Sequence, residues 1–275
     1  MFIVKVPGIN GKGTEGCESA GEAIINELRE IHANEQGKIV DVDMLDLEEI
    51  HLDNGNLELT NKLIYENSLK IFETKIKTIF LGGDHSISYS LVRGFFEHCK
   101  NSEREPCLIV FDSRPNCMPV TKGTEKHNQI FPAHEEWLRA LVESGFPSEN
   151  VLLVGVRNSD LEEINFLREK RIRVISMNQF MEDLEDSCDI IMEFSNGKEL
   201  YLSIDISVID PAFAPATVYR EPGGLTSREF IYLIHRINLI KNLRGIDIVE
   251  INAAEDKKFG GITVKLGAKI LSELL

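Results

Sequence analysis

The chain has 275 residues, 43% hydrophobic and 27% charged, an ordinary globular composition that excludes a disordered or fibrous protein. Its net charge of −15 sets a field that repels phosphate backbones and anionic lipid surfaces, which argues against nucleic acid and membrane partners. Cys17, Cys99, Cys107, Cys117 and Cys188 are scattered without C-x-x-C spacing, so neither a disulfide framework nor a zinc ribbon is expected and a reducing cytoplasm fits best.

In chain order, short apolar runs at Phe2 to Val6, Ile39 to Val42, Thr78 to Leu81, Cys107 to Phe111, Val151 to Val156, Arg173 to Ile175, Leu200 to Ile204 and Gly245 to Ile251 read as strands buried on both faces. Between them, amphipathic stretches at Glu18 to His32, Leu57 to Thr74, Tyr89 to Cys99, Glu135 to Ser144, Asp160 to Lys170 and Ser227 to Asn238 have helical spacing. The charged patches Glu182 to Asp189 and Glu255 to Lys258 read as solvated loops or helix faces. This alternation predicts right-handed βαβ crossovers and a mainly parallel sheet covered on both sides, as one domain over residues 1–275. No apolar segment approaches the roughly 18 residues that cross a bilayer, and no signal peptide is expected.

Ligands of open α/β sheets sit outside the carboxyl ends of the strands. There, Thr78 to Leu81 leads into Gly82-Gly83-Asp84-His85-Ser86, Cys107 to Phe111 into Asp112, Leu200 to Ile204 into Asp205, and Gly245 to Val249 into Glu250. One imidazole and two carboxylates converging from separate strands suit manganese, zinc or iron. Alternatively, His85 is a structural residue bonded to backbone, and the two glycines only permit a tight turn.

The motif GGDHS at 82–86, the segment Ser203-Ile-Asp205-Ile-Ser207-Val-Ile-Asp210-Pro211-Ala-Phe-Ala-Pro215 followed by Glu221-Pro-Gly-Gly-Leu225-Thr-Ser, and Leu153-Val-Gly-Val-Arg157 followed by Glu162 and Glu163 resemble the arginase/agmatinase (ureohydrolase) family, agmatinases most closely, over nearly the whole chain. The resemblance implies a three-layer α/β/α sandwich around a mainly parallel sheet. It also implies manganese-dependent hydrolysis of a guanidino group to urea and an amine, assembly as trimers or hexamers, and a small guanidino-type ligand. Family ligands come from a His after Gly-Gly-Asp, an Asp-x-His-x-Asp segment and an Asp-x-Asp segment. His85, Asp112 and Asp205 match, whereas Arg114, Asn116 and Ser207 stand where the family has a His and two Asp.

By that analogy His85, Asp112, Asn116 and Asp205 are the metal ligands, His134, Glu250 and Asp112 the catalytic residues, and Glu250, His134 and Arg114 the substrate-binding residues. His127 competes with His134 for the same match. At most one ion is expected, or none, with Arg114 replacing the second ion's charge by pairing with Asp112 or Asp205; alternatively the loop Ser113 to Pro119 takes another path and Arg114 faces solvent. Glu250 could also pair with Arg114 in place of substrate. Two functions follow: an amidine hydrolase, or a non-catalytic member of the fold that binds a small ligand or partner subunit. A third reading makes Cys117 a nucleophile beside His134 or His127.

Overall fold

The computed structural model describes residues 1–120 and 131–275. The apolar runs form strands β1 (Phe2–Val6), β2 (Asp46–Glu49), β3 (Thr78–Gly82), β4 (Pro106–Phe111), β5 (Val151–Val156), β6 (Arg173–Ser176), β7 (Glu199–Asp205) and β8 (Leu243–Val249). They make an eight-stranded sheet in the order β2-β1-β3-β8-β7-β4-β5-β6, every pair parallel. Strand residues alternate between two cores because successive side chains point to opposite faces: Ile109, Phe111, Leu202 and Ile204 enter one, and Leu108, Val110 and Tyr201 the other.

The first core is closed by helices α1 (Ala20–Leu28), α6 (Met177–Glu182), α7 (Leu184–Phe194), α8 (Ser227–Ile237) and α10 (Ile262–Leu274). Helices α2 (Leu57–Thr74), α3 (Ile87–Asn101), α4 (Trp137–Glu143) and α5 (Leu161–Lys170) close the second. The architecture is the expected three-layer α/β/α sandwich. Helix α8 shows how sequence places such a layer. Phe230, Ile231, Leu233, Ile234 and Ile237 form one buried stripe, and Thr226 and Glu229 close a reciprocal capping box that starts the helix where its apolar spacing begins. The short α9 (Ala253–Asp256) ends in Asp256, whose carboxylate accepts from the backbone N–H groups of Thr263 and Val264 in the next helix.

Two expectations are corrected. Ile39 to Val42 is not a strand: Val40 and Val42 turn into the core while Ile39 lies 79% exposed, and the chain continues through a short 3-10 turn at Val42–Met44. The strand beside β1 is instead Asp46–Glu49, exposed throughout. An acidic edge strand discourages further pairing and leaves no apolar pattern to read. Helix α7 carries most of the patch Glu182 to Asp189, which the sequence reading gave as a solvated loop or a helix face, whereas α6 and α10 lie where it placed nothing. His127 and the rest of the stretch 121–130 lie outside the described residues.

Sheet packing brings three segments against one another at the carboxyl edge. The Gly83 N–H donates to the Val6 carbonyl at 3.0 Å, the Asp84 N–H to the Gly8 carbonyl at 3.1 Å, and the Glu250 N–H to the Gly83 carbonyl at 3.0 Å. A Cβ on Gly83 would collide with the Gly8 carbonyl oxygen, so this glycine is required by close approach and not by an unusual φ. Gly83→Ala is expected to destabilise the protein by about 3 kcal/mol or more, as overpacked backbone contacts do. Chemical denaturation would measure this, and a loss under about 1 kcal/mol would show that the two loops separate freely.

Candidate active site

His85, Asp112 and Asp205 leave the ends of β3, β4 and β7 and meet in the interior, their ligand atoms within 4.8 Å of one another. His85 Nδ1 lies 3.1 Å from Asp112 Oδ2 and 3.2 Å from Asp205 Oδ2. On the ring's other side, Nε2 is 2.9 Å from Ser203 Oγ, and the imidazole packs on Trp137 with ring centroids 4.7 Å apart. Asn116 completes the group, its Nδ2 2.6 Å from Asp112 Oδ2 and 3.2 Å from His85 Nδ1.

Two buried carboxylates facing one imidazole leave negative charge in a place that water does not solvate. Burial and the charge of Asp205 push the Asp112 pKa up to about 7. Burial alone would lower the pKa of His85, but the hydrogen bonds and charges of Asp112 and Asp205 raise it well above the ordinary imidazole value. A cation between these groups relieves both strains. The imidazole and carboxylate donor set therefore fits a divalent ion such as manganese, with Asn116 able to add an amide oxygen once its side chain is turned.

The other carboxylate oxygen of Asp112 has partners of its own. Asp112 Oδ1 accepts from the Arg114 N–H at 2.9 Å and from Ser207 Oγ at 3.2 Å. Ser207 Oγ also lies 2.8 Å from Ser113 Oγ, so one hydroxyl and one backbone amide engage Asp112 Oδ1. The Arg114 guanidinium does not pair with Asp112 or Asp205. It lies over the Tyr219 ring, 4.4 Å from the centroid, and 3.7 Å from Glu221 Oε1, with only 20% of its side chain exposed. Stacking on an aromatic face suits the weakly hydrated guanidinium, whereas Asp112 and Asp205 already have donors closer by.

Glu250, just past β8, accepts the His85 N–H at 2.8 Å on Oε1, which also faces His134 Nδ1 at 3.0 Å. Its partner is therefore His134, not Arg114. Glu250 is 2% exposed, and its Oε2 has no hydrogen-bond partner among the described residues. Both Glu250 (φ 66°) and Asn116 (φ 51°) adopt left-handed backbone, a strain of order 1–3 kcal/mol that folded proteins keep at functional sites. His134 stacks on Tyr219 at 5.6 Å and 18°, so His134, Tyr219 and Arg114 form a column from the buried acid outward. The Tyr219 hydroxyl donates to Glu135.

Sequence reasoning missed Tyr219, which no motif marks, and Asp84, a motif residue given no role. Asp84 Oδ2 gathers the Asn10 N–H at 2.7 Å, the Gly11 N–H at 2.6 Å and the Thr14 hydroxyl at 2.9 Å, holding the loop after β1 beside His134. Glu163 was noted only as part of a motif. It closes the α5 capping box and accepts the Cys117 N–H at 3.0 Å, anchoring the loop that carries Asn116. The Cys117 thiol is buried against the Glu163 carbonyl, and burial pushes its pKa up, the reverse of what a thiolate nucleophile needs.

A model of the Arginase family matches residues 1–275. The chain belongs to the arginase family. Arginase 1, mitochondrial, of Arabidopsis thaliana is 30% identical over 220 residues, covering 78% of this chain and 59% of that protein. Proclavaminate amidinohydrolase of Streptomyces clavuligerus is 30% identical over 201 residues, covering 72% of this chain and 60% of that protein. The chain thus spans about 60% of the length of these curated relatives. In solved form, the S. clavuligerus amidino hydrolase shares the fold with a TM-score of 0.85 at 24% identity, over 99% of this chain and 89% of that one. Within this arginase-family fold, no helix among the described residues is long and apolar enough to cross a membrane.

The pair formed by His134 and Glu250 has a measurable signature. Burial lowers the His134 pKa, but the Glu250 hydrogen bond and charge outweigh it and raise the pKa to about 9. With the folded value above the unfolded one, the stabilisation is complete below about pH 6.5 and is lost as pH rises through about 9. Its upper size is on the order of 3 kcal/mol. In chelator, the melting temperature should fall across this window, and His134→Gln should remove that part of the fall. Equal slopes in the two proteins would show that the pair does not form.

Proposed function

We propose that the chain hydrolyses the C–N bond of a linear amidine or guanidino group, releasing urea where the group is a guanidine, with one divalent ion held by His85, Asp112, Asp205 and Asn116. The observation that carries this reading is the open Glu250 Oε2, a buried carboxylate oxygen without a partner among the described residues, directly beside the donor cluster. A planar guanidinium or amidinium supplies the N–H groups that such an oxygen lacks. Both curated relatives carry names that mark hydrolysis of arginine or of an amidino group.

A divalent ion held by His85, Asp112, Asp205 and Asn116 would supply Lewis acidity, lowering the pKa of water so that hydroxide is available near neutral pH. The chain's own residues do the rest. Glu250 orients the cationic group, and its Oε1 is locked by the His85 N–H and by His134. His134 has a pKa near 9, so it is protonated at neutral pH. With Nδ1 directed at Glu250, its Nε2 is left to give a proton to the departing amine. Arg114, held on Tyr219 at the outer end of the column, would bind substrate through a carboxylate at the end remote from the cationic group. Self-association as a trimer or hexamer and a cytoplasmic setting belong to the same reading.

The test is a metal count followed by an assay. After dialysis against manganese, one ion per chain is expected, together with urea release from agmatine, arginine or a related guanidino compound. Glu250→Gln should lower kcat/KM by about 100-fold, the loss of one charge-assisted pair worth about 3 kcal/mol. Two tightly held ions would overturn the single-ion reading. Ligand binding without turnover on any amidine would identify a non-catalytic binding protein instead.

A further inference from the structure

A carboxylate in the middle of a central strand is costly to bury unless it is fully bonded. Asp247 occupies such a place in β8, directly across from Ser203 of β7, and is completely buried. Its Oδ2 accepts the hydroxyl protons of Ser88 at 2.8 Å and Tyr201 at 2.9 Å, and its Oδ1 accepts that of Ser203 at 2.7 Å. Ser203 Oγ also lies 2.9 Å from His85 Nε2.

A serine hydroxyl has one proton. Ser203 gives that proton to Asp247, so toward His85 its oxygen can only accept, and the bond must be donated by Nε2–H. Neutral His85 then carries its lone pair on Nδ1, the nitrogen 3.1 Å from Asp112 Oδ2 and 3.2 Å from Asp205 Oδ2. Were Ser203 to donate to Nε2 instead, Nδ1 would hold the proton and no lone pair would face the carboxylates.

We propose that Asp247, acting through Ser203, is a positioning device that selects the Nε2–H tautomer of His85 and so presents Nδ1 to a divalent cation. This rests on the single-ion reading above. The other hydroxyls on Asp247 hold the carboxylate in place without touching His85. Asp247 and Ser203 contact neither the cation nor the substrate; they act by directing one ring nitrogen, as partners beyond the ligands of a metal site do.

Manganese affinity, measured by equilibrium dialysis and metal analysis, separates this role from a structural one. Ser203→Ala and Asp247→Asn should each weaken binding by about 10- to 100-fold. The asparagine amide can donate to Ser203 and turn its proton toward His85. Tyr201→Phe removes a different hydroxyl from Asp247 and should leave the affinity unchanged even where it lowers the melting temperature. A wild-type protein that binds no manganese refutes the metal reading and this inference with it. Wild-type affinity retained in Ser203→Ala and Asp247→Asn refutes the inference alone.

Should those variants fail to fold, nitrogen NMR of the imidazoles in the zinc-loaded wild-type protein decides. His85 is expected to show a protonated Nε2 and a ligating Nδ1, and coordination through Nε2 overturns the proposal.

Discussion

Two carboxylates held against one imidazole, out of reach of water, are the constraint around which this molecule is arranged. Asp112 and Asp205 leave neighbouring strands of a parallel sheet, and the parallel direction brings both to the same edge as His85. Charge of one sign concentrated in a low-dielectric interior must be neutralised by protonation or by a cation. The raised pKa of Asp112 and the close approach of His85 Nδ1 express that demand. The surrounding hydroxyls, amides and loops hold these groups in place.

Placement of those groups is a backbone problem before it is a side-chain problem. Gly83 lets the turn after β3 press against the turn after β1, and Asp84 fixes the latter by collecting its N–H groups. Left-handed backbone at Glu250 and Asn116 aims both side chains inward. The sheet and its two layers of helices sustain these costs: their large apolar cores leave the carboxyl edge little freedom to relax.

The departures from the family pattern have one physical outcome. Arg114 does not insert its charge between the carboxylates; it stacks on Tyr219 and approaches Glu221, while the Ser207 hydroxyl and the Arg114 backbone N–H engage Asp112 Oδ1. The same stacking builds the column of His134, Tyr219 and Arg114, tying the buried imidazole to a positive charge nearer the surface.

Alternation of apolar runs and amphipathic stretches was sufficient for the three-layer sandwich, and strand-end reasoning marked His85, Asp112, Asp205 and Glu250 as residues that lie together, because both are local signals read along the chain. The exposed strand Asp46–Glu49 escaped, since an acidic edge carries no apolar period. Other features existed only once distant segments met: the direction taken by Arg114, the stack through Tyr219, and the path from Asp247 through Ser203 to His85. An arginine chooses between a carboxylate and an aromatic face according to which donors already occupy the carboxylate. A buried aspartate looks like a flaw in an apolar strand until the neighbouring strand supplies its serine. Such choices depend on distances between residues far apart in the chain, and those distances are set by packing.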